Sequence, residues 1–267
     1  CGSPPPAPAE ASRTLAAFPL RAAGPAEDAW IADGLSDDMF DALCTIRGLR
    51  IKARTAILPD ETPHDYARRL GVELLLEGSV RRLGDRLRLV LRLTSVDDGF
   101  QVWAERIDCG MGDLLTVSDQ VARAVAEAVG RTGPASQPRA AVDPEALDLY
   151  LRAREVQRHL AFRWREAAAL LERAHAIAPD DPTIAAHYAD ILSYGFFELE
   201  EESLGRLATA RAAAERALDL APHLAEPWFA VARVRYNDGD SPGAARALRR
   251  ALANGPGLDH AHDLAGR

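Results

Sequence analysis

The run Arg216-Ala217-Leu218-Asp219-Leu220-Ala221-Pro222 returns 34 residues later as Arg250-Ala251-Leu252-Ala253-Asn254-Gly255-Pro256. A related run, Arg173-Ala174-His175-Ala176-Ile177-Ala178-Pro179, stands 43 residues earlier. Each is an Ala-rich helical segment stopped by a proline, which has no backbone N–H to continue the ladder. A spacing of 34 residues is that of a stacked two-helix repeat, and 43 is the same unit with nine residues added. The reading of these prolines decides the second half of the chain: paired helices that bury their apolar faces on the next pair.

The last repeat is the fullest. Trp228, Val231, Ala232, Ala244, Leu248 and Ala251 stand where the tetratricopeptide consensus has Trp, Leu, Gly, Ala, Phe and Ala. The middle repeat carries Tyr188, Ala189, Ala210 and Ala217, with its extra residues expected around 195–203. The first has Leu149-Tyr150-Leu151-Arg152-Ala153, then Ala167, Leu171 and Ala174. Leu258 to Arg267 looks like half a hairpin. Residues 144–267 thus resemble a tetratricopeptide (TPR) solenoid of about three hairpins. The resemblance implies a concave groove lined by the first helix of each pair. By repeat position, Thr183, Asp190 and Tyr194 fall in it from the second repeat, and Glu226, Phe229, Arg233, Tyr236 and Asn237 from the third. Phe229 and Tyr236 are candidate anchors for a protein or peptide, and Arg233 and Asn237 candidate partners for its backbone or carboxylate. The alternative is that these side chains pack on a following helix or on the first domain.

Working toward the N-terminus, Thr132-Gly133-Pro134-Ala135-Ser136-Gln137-Pro138 reads as part of a linker, residues 132–143. Before it the period changes from helical to alternating. Leu87, Leu89, Leu91 and Leu93 point one way, and Arg86, Arg88, Val90 and Arg92 the other. Leu83-Gly84-Asp85 and Asp97-Asp98-Gly99 are turns on either side, so three strands form a meander from Val72 to Ile107. Leu15 to Leu20 reads as a strand, with Pro19 favouring an edge or a bulge. Ser36, followed by Asp37 and Asp38, reads as an N-cap for a helix through Met39, Phe40, Leu43 and Ile46. Leu49 to Ala53 is a second strand, Thr62-Pro63 starts another helix, and Leu114 to Val129 closes the unit. The expected fold is therefore α+β over residues 15–131, a mixed five-stranded sheet with about three helices.

Three stretches carry a second resemblance: Asp33-Gly34-Leu35-Ser36-Asp37-Asp38, the run from Gly71 to Arg82, and Val102-Trp103-Ala104-Glu105-Arg106. In order and spacing they resemble the bacterial FlgO/TolB-N-terminal-like domain, over about 115 residues. That resemblance implies a domain that often precedes TPR repeats. In relatives it follows an adenylate cyclase, a Ser/Thr kinase or a winged-helix domain, or belongs to an outer-membrane lipoprotein.

Composition sets outer limits. With 48 % hydrophobic and 27 % charged residues, both halves can bury a core. Net charge is −8, divided as −3 up to Ala140 and −5 beyond, so neither half as a whole is suited to nucleic acid. A row of arginines (Arg86, Arg88 and Arg92, with Arg81, Arg82 and Arg106 nearby) is either an anion site or a solvated face paired with Glu73, Glu77 and Glu105. Cys44 and Cys109 can pair or stay apart. Cys1-Gly2-Ser3, leading a Pro-rich tether over residues 1–14, resembles a mature lipoprotein with lipid on Cys1, or a piece cut from a longer chain. No phosphate-binding loop, dinucleotide fingerprint, nucleophile elbow or zinc-protease motif is present, and the seven His are scattered. No metal, cofactor or catalytic residue is expected.

Two functional readings follow. One is a non-enzymatic, extracytoplasmic scaffold, periplasmic or held at the outer membrane only by lipid, which binds a partner protein in the groove. The other is the sensory or regulatory C-terminal region of a larger signalling protein.

Overall fold

The structure is a computed structural model and describes residues 13–52, 57, 58, 60–131, 133, 140–157, 163–194 and 203–266. A mixed sheet built by the first half comprises β1 (Arg13–Ala17), β2 (Arg21–Ala22), β3 (Leu49–Ile51), β4 (Leu74–Leu83), β5 (Arg86–Ser95) and β6 (Gln101–Gly110). The order is β3-β1-β4-β5-β6, with β2 also on β4. β1, β2 and β3 run parallel to their neighbours, and β4, β5 and β6 form the antiparallel meander.

The sixth strand, β2, was not expected, and Pro19 explains it. From Ala17 to Arg21 the chain advances four residues while β4 advances three, Leu76 to Ser79. Pro19 sits in that extra-residue bulge, so it divides one pairing into two short ones and lies beside a central strand rather than on an edge.

Helices α1 (Ala29–Leu43) and α3 (Leu114–Ala128) cover one face of the sheet, while α2 (Pro63–Leu70) covers part of the other. Leu87, Leu89, Leu91 and Leu93 are all buried on the α1/α3 side. Each contributes roughly 1.5–3 kcal/mol relative to exposure. α2 is delimited as its sequence indicates. Thr62 accepts from the Asp65 N–H at 3.2 Å, Pro63 opens the helix, and Gly71 closes it at φ 65°, in the left-handed region that favours glycine.

α1 differs from expectation. It begins at Ala29, not at Ser36, and runs through Asp33 and Gly34. Ser36 is buried; its hydroxyl donates to the Ala32 carbonyl at 2.5 Å and accepts from the Leu20 N–H at 2.9 Å. The hydroxyl that reads locally as a cap instead ties α1 to the bulge before β2. Cys44 and Cys109 are both buried and are not joined in a disulfide.

The described residues of the second half form helices and short turns: α4 (Pro144–Gln157), α5 (Trp164–Ile177), α6 (Pro182–Tyr194), α7 (Ser203–Leu220), α8 (Ala225–Asn237), α9 (Ser241–Asn254) and α10 (Asp259–Ala265). α4 packs on α5, α6 on α7 and α8 on α9, and α6 also packs on α8. Pro179, Pro222 and Pro256 each stand two residues past the end of α5, α7 and α9. α7 has 18 residues against 14 in α9, and eight residues separate α6 from α7 where three separate α8 from α9. Those two differences account for all nine extra residues of the middle repeat. Buried side chains of both halves join in one apolar cluster. Among the described residues, no helix is long and apolar enough to cross a membrane.

Candidate functional site

The residues singled out on the helical half come from two neighbouring helices, α6 and α8. Arg233 Nε lies 2.7 Å from Asp190 Oδ1, with both side chains about one-fifth exposed. The Arg233 guanidinium sits over the Phe229 ring at 4.9 Å. Asn237 donates to the Ser193 carbonyl at 2.7 Å, which ties the end of α8 to the end of α6. Tyr194 is 41 % exposed beside this bond, and Glu226 and Tyr236 are half-buried. Thr183 and Phe229 lie deeper, at 5 % and 6 % exposure, and Phe229 stacks loosely on His260 of α10 at 6.3 Å.

This face holds unspent hydrogen-bonding capacity. Asn237 Oδ1 is buried and accepts no hydrogen bond from the described residues, and the Arg233–Asp190 contact is an ion pair without an aligned hydrogen bond through Nε. A buried polar atom without a partner costs free energy until something bonds it. The face therefore presents a partly exposed guanidinium and an exposed phenol, with the Asn237 acceptor buried between the helices that carry them.

A second cluster, which the sequence reading missed, joins the halves. Tyr150 on α4 donates to Asp38 on α1 at 3.0 Å. Arg154, one turn on, donates to Asp41 at 2.5 Å, and its Nη1 lies 3.1 Å from both ring nitrogens of His187 on α6. Tyr150 and His187 meet edge to face at 5.4 Å. Burial pushes the Tyr150 hydroxyl well above its ordinary pKa, and Asp38 adds to the shift. Burial alone would lower the Arg154 pKa, but Asp41 and the other nearby acids hold it well above the usual value. Gly34 lets the helices approach closely, since a Cβ there would lie 2.7 Å from the Leu151 carbonyl oxygen. Arg152 covers Trp30 at 4.6 Å. At the far end of α1, the Gly257 N–H bonds the Cys44 carbonyl at 3.1 Å. The helical half thus touches α1 through α4 and again after α9. The available signal was the spacing: Asp38 and Asp41 three apart, Tyr150 and Arg154 four apart, each pair on one helix face.

The arginine row divides between the two faces of the sheet. Arg81, Arg86, Arg88, Arg92 and Arg106 share the face opposite α1, while Arg82 faces the helices near Asp28 at 3.7 Å. The expected acid partner Glu105 is on the other face, bonded to Gln120 at 3.2 Å; Arg88 pairs instead with Asp108 at 2.7 Å. Among the described residues, no three His, Cys, Asp or Glu side chains converge to hold a metal ion. Cys1 lies outside the described residues.

No family model matches the chain. A curated relative, "Putative adenylate cyclase 3" of Rhizobium meliloti (strain 1021), is 34 % identical over 198 residues, 70 % of this chain and 33 % of the relative. The chain spans about a third of that relative, and the matched stretch is longer than either half, so it crosses both. Solved structures with similarity include TolB from Acinetobacter baumannii (TM-score 0.35, 11 % identity, 44 % of this chain and 28 % of that one). The globular C-terminal domain of P. aeruginosa LpoP gives TM-score 0.31 and 31 % identity over 41 % of this chain and 97 % of its own. Lipoprotein GNA1162 from Neisseria meningitidis gives 0.28 and 15 %, over 42 % and 96 %.

Proposed function

We propose that the chain is a protein-binding module whose helical half is a TPR-type array and whose α6/α8 face receives an extended peptide of a partner protein. The observation that carries this reading is the buried, unbonded Oδ1 of Asn237 beside the Arg233–Asp190 pair and the exposed Tyr194. A peptide backbone laid along the face supplies the missing N–H to Asn237, and its carbonyl or carboxylate groups meet Arg233. The module itself carries out no chemistry in this reading. The test is a peptide-array screen with the purified chain. Any peptide selected is measured again with Asn237→Ala and Arg233→Ala, each expected to weaken it about tenfold, the scale of a polar hot spot. Peptides that bind both variants as well as the parent chain would remove the face from consideration.

A second reading is favoured by the curated relative: the module is the regulatory region of a larger signalling protein such as an adenylate cyclase. The same face would then receive a segment of the signalling protein itself or of its effector. The intact mass of the native polypeptide from its own cells separates the two. A chain much longer than 267 residues directs attention to its output domain, with cyclic AMP production measured with and without this region. A mature chain of this length bearing lipid supports the envelope-anchored scaffold.

A further inference from the structure

The sheet face opposite α1 and α3 is only partly covered. α2 packs on it through Tyr66 and Ala67, against Ala16 and Leu75. Beyond α2, among the described residues, the face displays Arg21, Arg81, Arg86, Arg88, Arg92 and Arg106, as the strand registers require. Glu77 and Asp108 are the acids among them, which leaves an excess of four positive charges on a chain whose net charge is −8. Arg88 is bonded to Asp108, and Arg86 reaches the Asp108 carbonyl. Arg21, Arg81, Arg92 and Arg106 make no hydrogen bond or ion pair with any described residue. Arg81 stands directly across from Arg88. Like charges opposed on neighbouring strands destabilise a sheet, and Arg81 has no acidic partner among the described residues.

The arginines are spread over three adjacent strands, β4, β5 and β6, as well as β2, rather than gathered at one point. At the α2 end of the same strands the turn into β6 exposes apolar groups, Phe100 at 73 % and Val102 at 38 %. A broad basic surface with exposed apolar residues at its rim matches the two components of an anionic bilayer surface, headgroup charge and the acyl boundary. The arginines carry no interleaved exposed aromatic for base stacking, which disfavours single-stranded nucleic acid.

We propose that this arginine face docks the protein on an anionic lipid bilayer, with the arginines at the headgroups and Phe100 entering the interface. The acidic remainder of the chain then points away from the membrane, so attraction and repulsion together set one orientation. The helical array and its α6/α8 face are held at a defined height above the lipid. This surface is separate from that face, and either can fail without the other.

The experiment is co-sedimentation of the full chain, carrying no lipid of its own, with vesicles of phosphatidylcholine alone or with about 30 % phosphatidylglycerol. Binding is expected to the anionic vesicles only, at about 50 mM salt, and to be lost near 500 mM, where the Debye length shrinks to a few ångströms. The triple variant Arg81→Gln, Arg92→Gln and Arg106→Gln is expected to bind about 100-fold more weakly, at roughly fivefold per arginine. All three side chains are exposed, so circular dichroism should match the parent. Arg249→Gln with Arg250→Gln, exposed on α9, is expected to leave binding unchanged. Phe100→Ser should weaken it by a smaller factor. The proposal is overturned if the parent chain ignores anionic vesicles at low salt, or if the triple variant binds like the parent. Capture by polyglutamate or an oligonucleotide with vesicles ignored would also overturn it, and would assign the face to a protein or nucleic-acid partner.

Discussion

Arg154 on α4 and Arg233 on α8 each meet an aspartate, at 2.5 Å and 2.7 Å. One is closed in and the other is reachable. Arg154 is 8 % exposed, and its partner Asp41 belongs to the other half of the molecule, with Tyr150, His187 and Asp38 around them. Arg233 pairs within the array, with Asp190 on the next helix, and both side chains retain contact with water. The chemistry is the same, but the surroundings assign different work. A desolvated pair across two halves holds them in register, since removing either partner strands a buried charge. A pair that keeps some contact with water contributes less to stability and can exchange its partner for a ligand.

The largest expected effect is on the closed pair. Arg154→Ala leaves Asp41 without its guanidinium, and urea unfolding should show a loss of about 3–5 kcal/mol. A loss below about 1 kcal/mol would place this pair with the exposed ones and erase the contrast. Next is Gly34→Ala. Its Cβ would press on Leu151 backbone atoms, and backbone cannot swing aside as a flexible side chain can. Overpacking of roughly 1–3 kcal/mol outweighs the gain of about 1 kcal/mol in helix propensity. A raised melting temperature for this variant would mean that α1 and α4 separate easily.

Tyr150→Phe removes the donor to Asp38 and should cost about 1–2 kcal/mol near neutral pH. It also carries a pH signature. The folded-state pKa of Tyr150 is raised, so its contribution is fully present below the unfolded tyrosine value of about 10 and is lost as pH climbs through the folded one. The parent chain should therefore lose stability more steeply above about pH 10 than the variant does. Identical alkaline slopes would show that Tyr150 ionises as freely folded as unfolded. The smallest effect on stability belongs to Arg233→Ala, no more than about 1 kcal/mol, with its consequence read in peptide binding instead. A destabilisation as large as that of Arg154→Ala would make the α6/α8 face a structural seam rather than a binding surface.

Much of the fold is legible along the chain. The alternating leucines of β5, the Thr62-Pro63 to Gly71 helix and the prolines after α5, α7 and α9 are local signals, and the structure places each where its chemistry indicates. The misreadings have a common cause. Ser36 has the side chain of a cap, but its hydroxyl is used by Ala32 and Leu20, and the latter bond spans sixteen residues. Of the edge or bulge that Pro19 suggests, the structure keeps the bulge, because β1 is central, with β3 pairing on its other side. Glu105 has the charge to pair with the arginine row, but the register puts it on the opposite face, and Asp108 takes Arg88.

The residues picked out by repeat position all lie on α6 and α8. How deeply each lies could not be read that way, since Phe229 is covered by α10 and Thr183 is buried where Tyr194 is open. The Asp38–Tyr150 and Asp41–Arg154 bonds join residues 112 and 113 positions apart. No period or turn motif encodes a contact over that distance. Sequence alone determined most of the helices and strands, because hydrophobic period, caps and prolines act within a few residues. Tertiary structure decided that α1 is clasped by the array, which arginines remain unpaired and which aspartates are desolvated, because burial depends on what arrives from elsewhere in the chain.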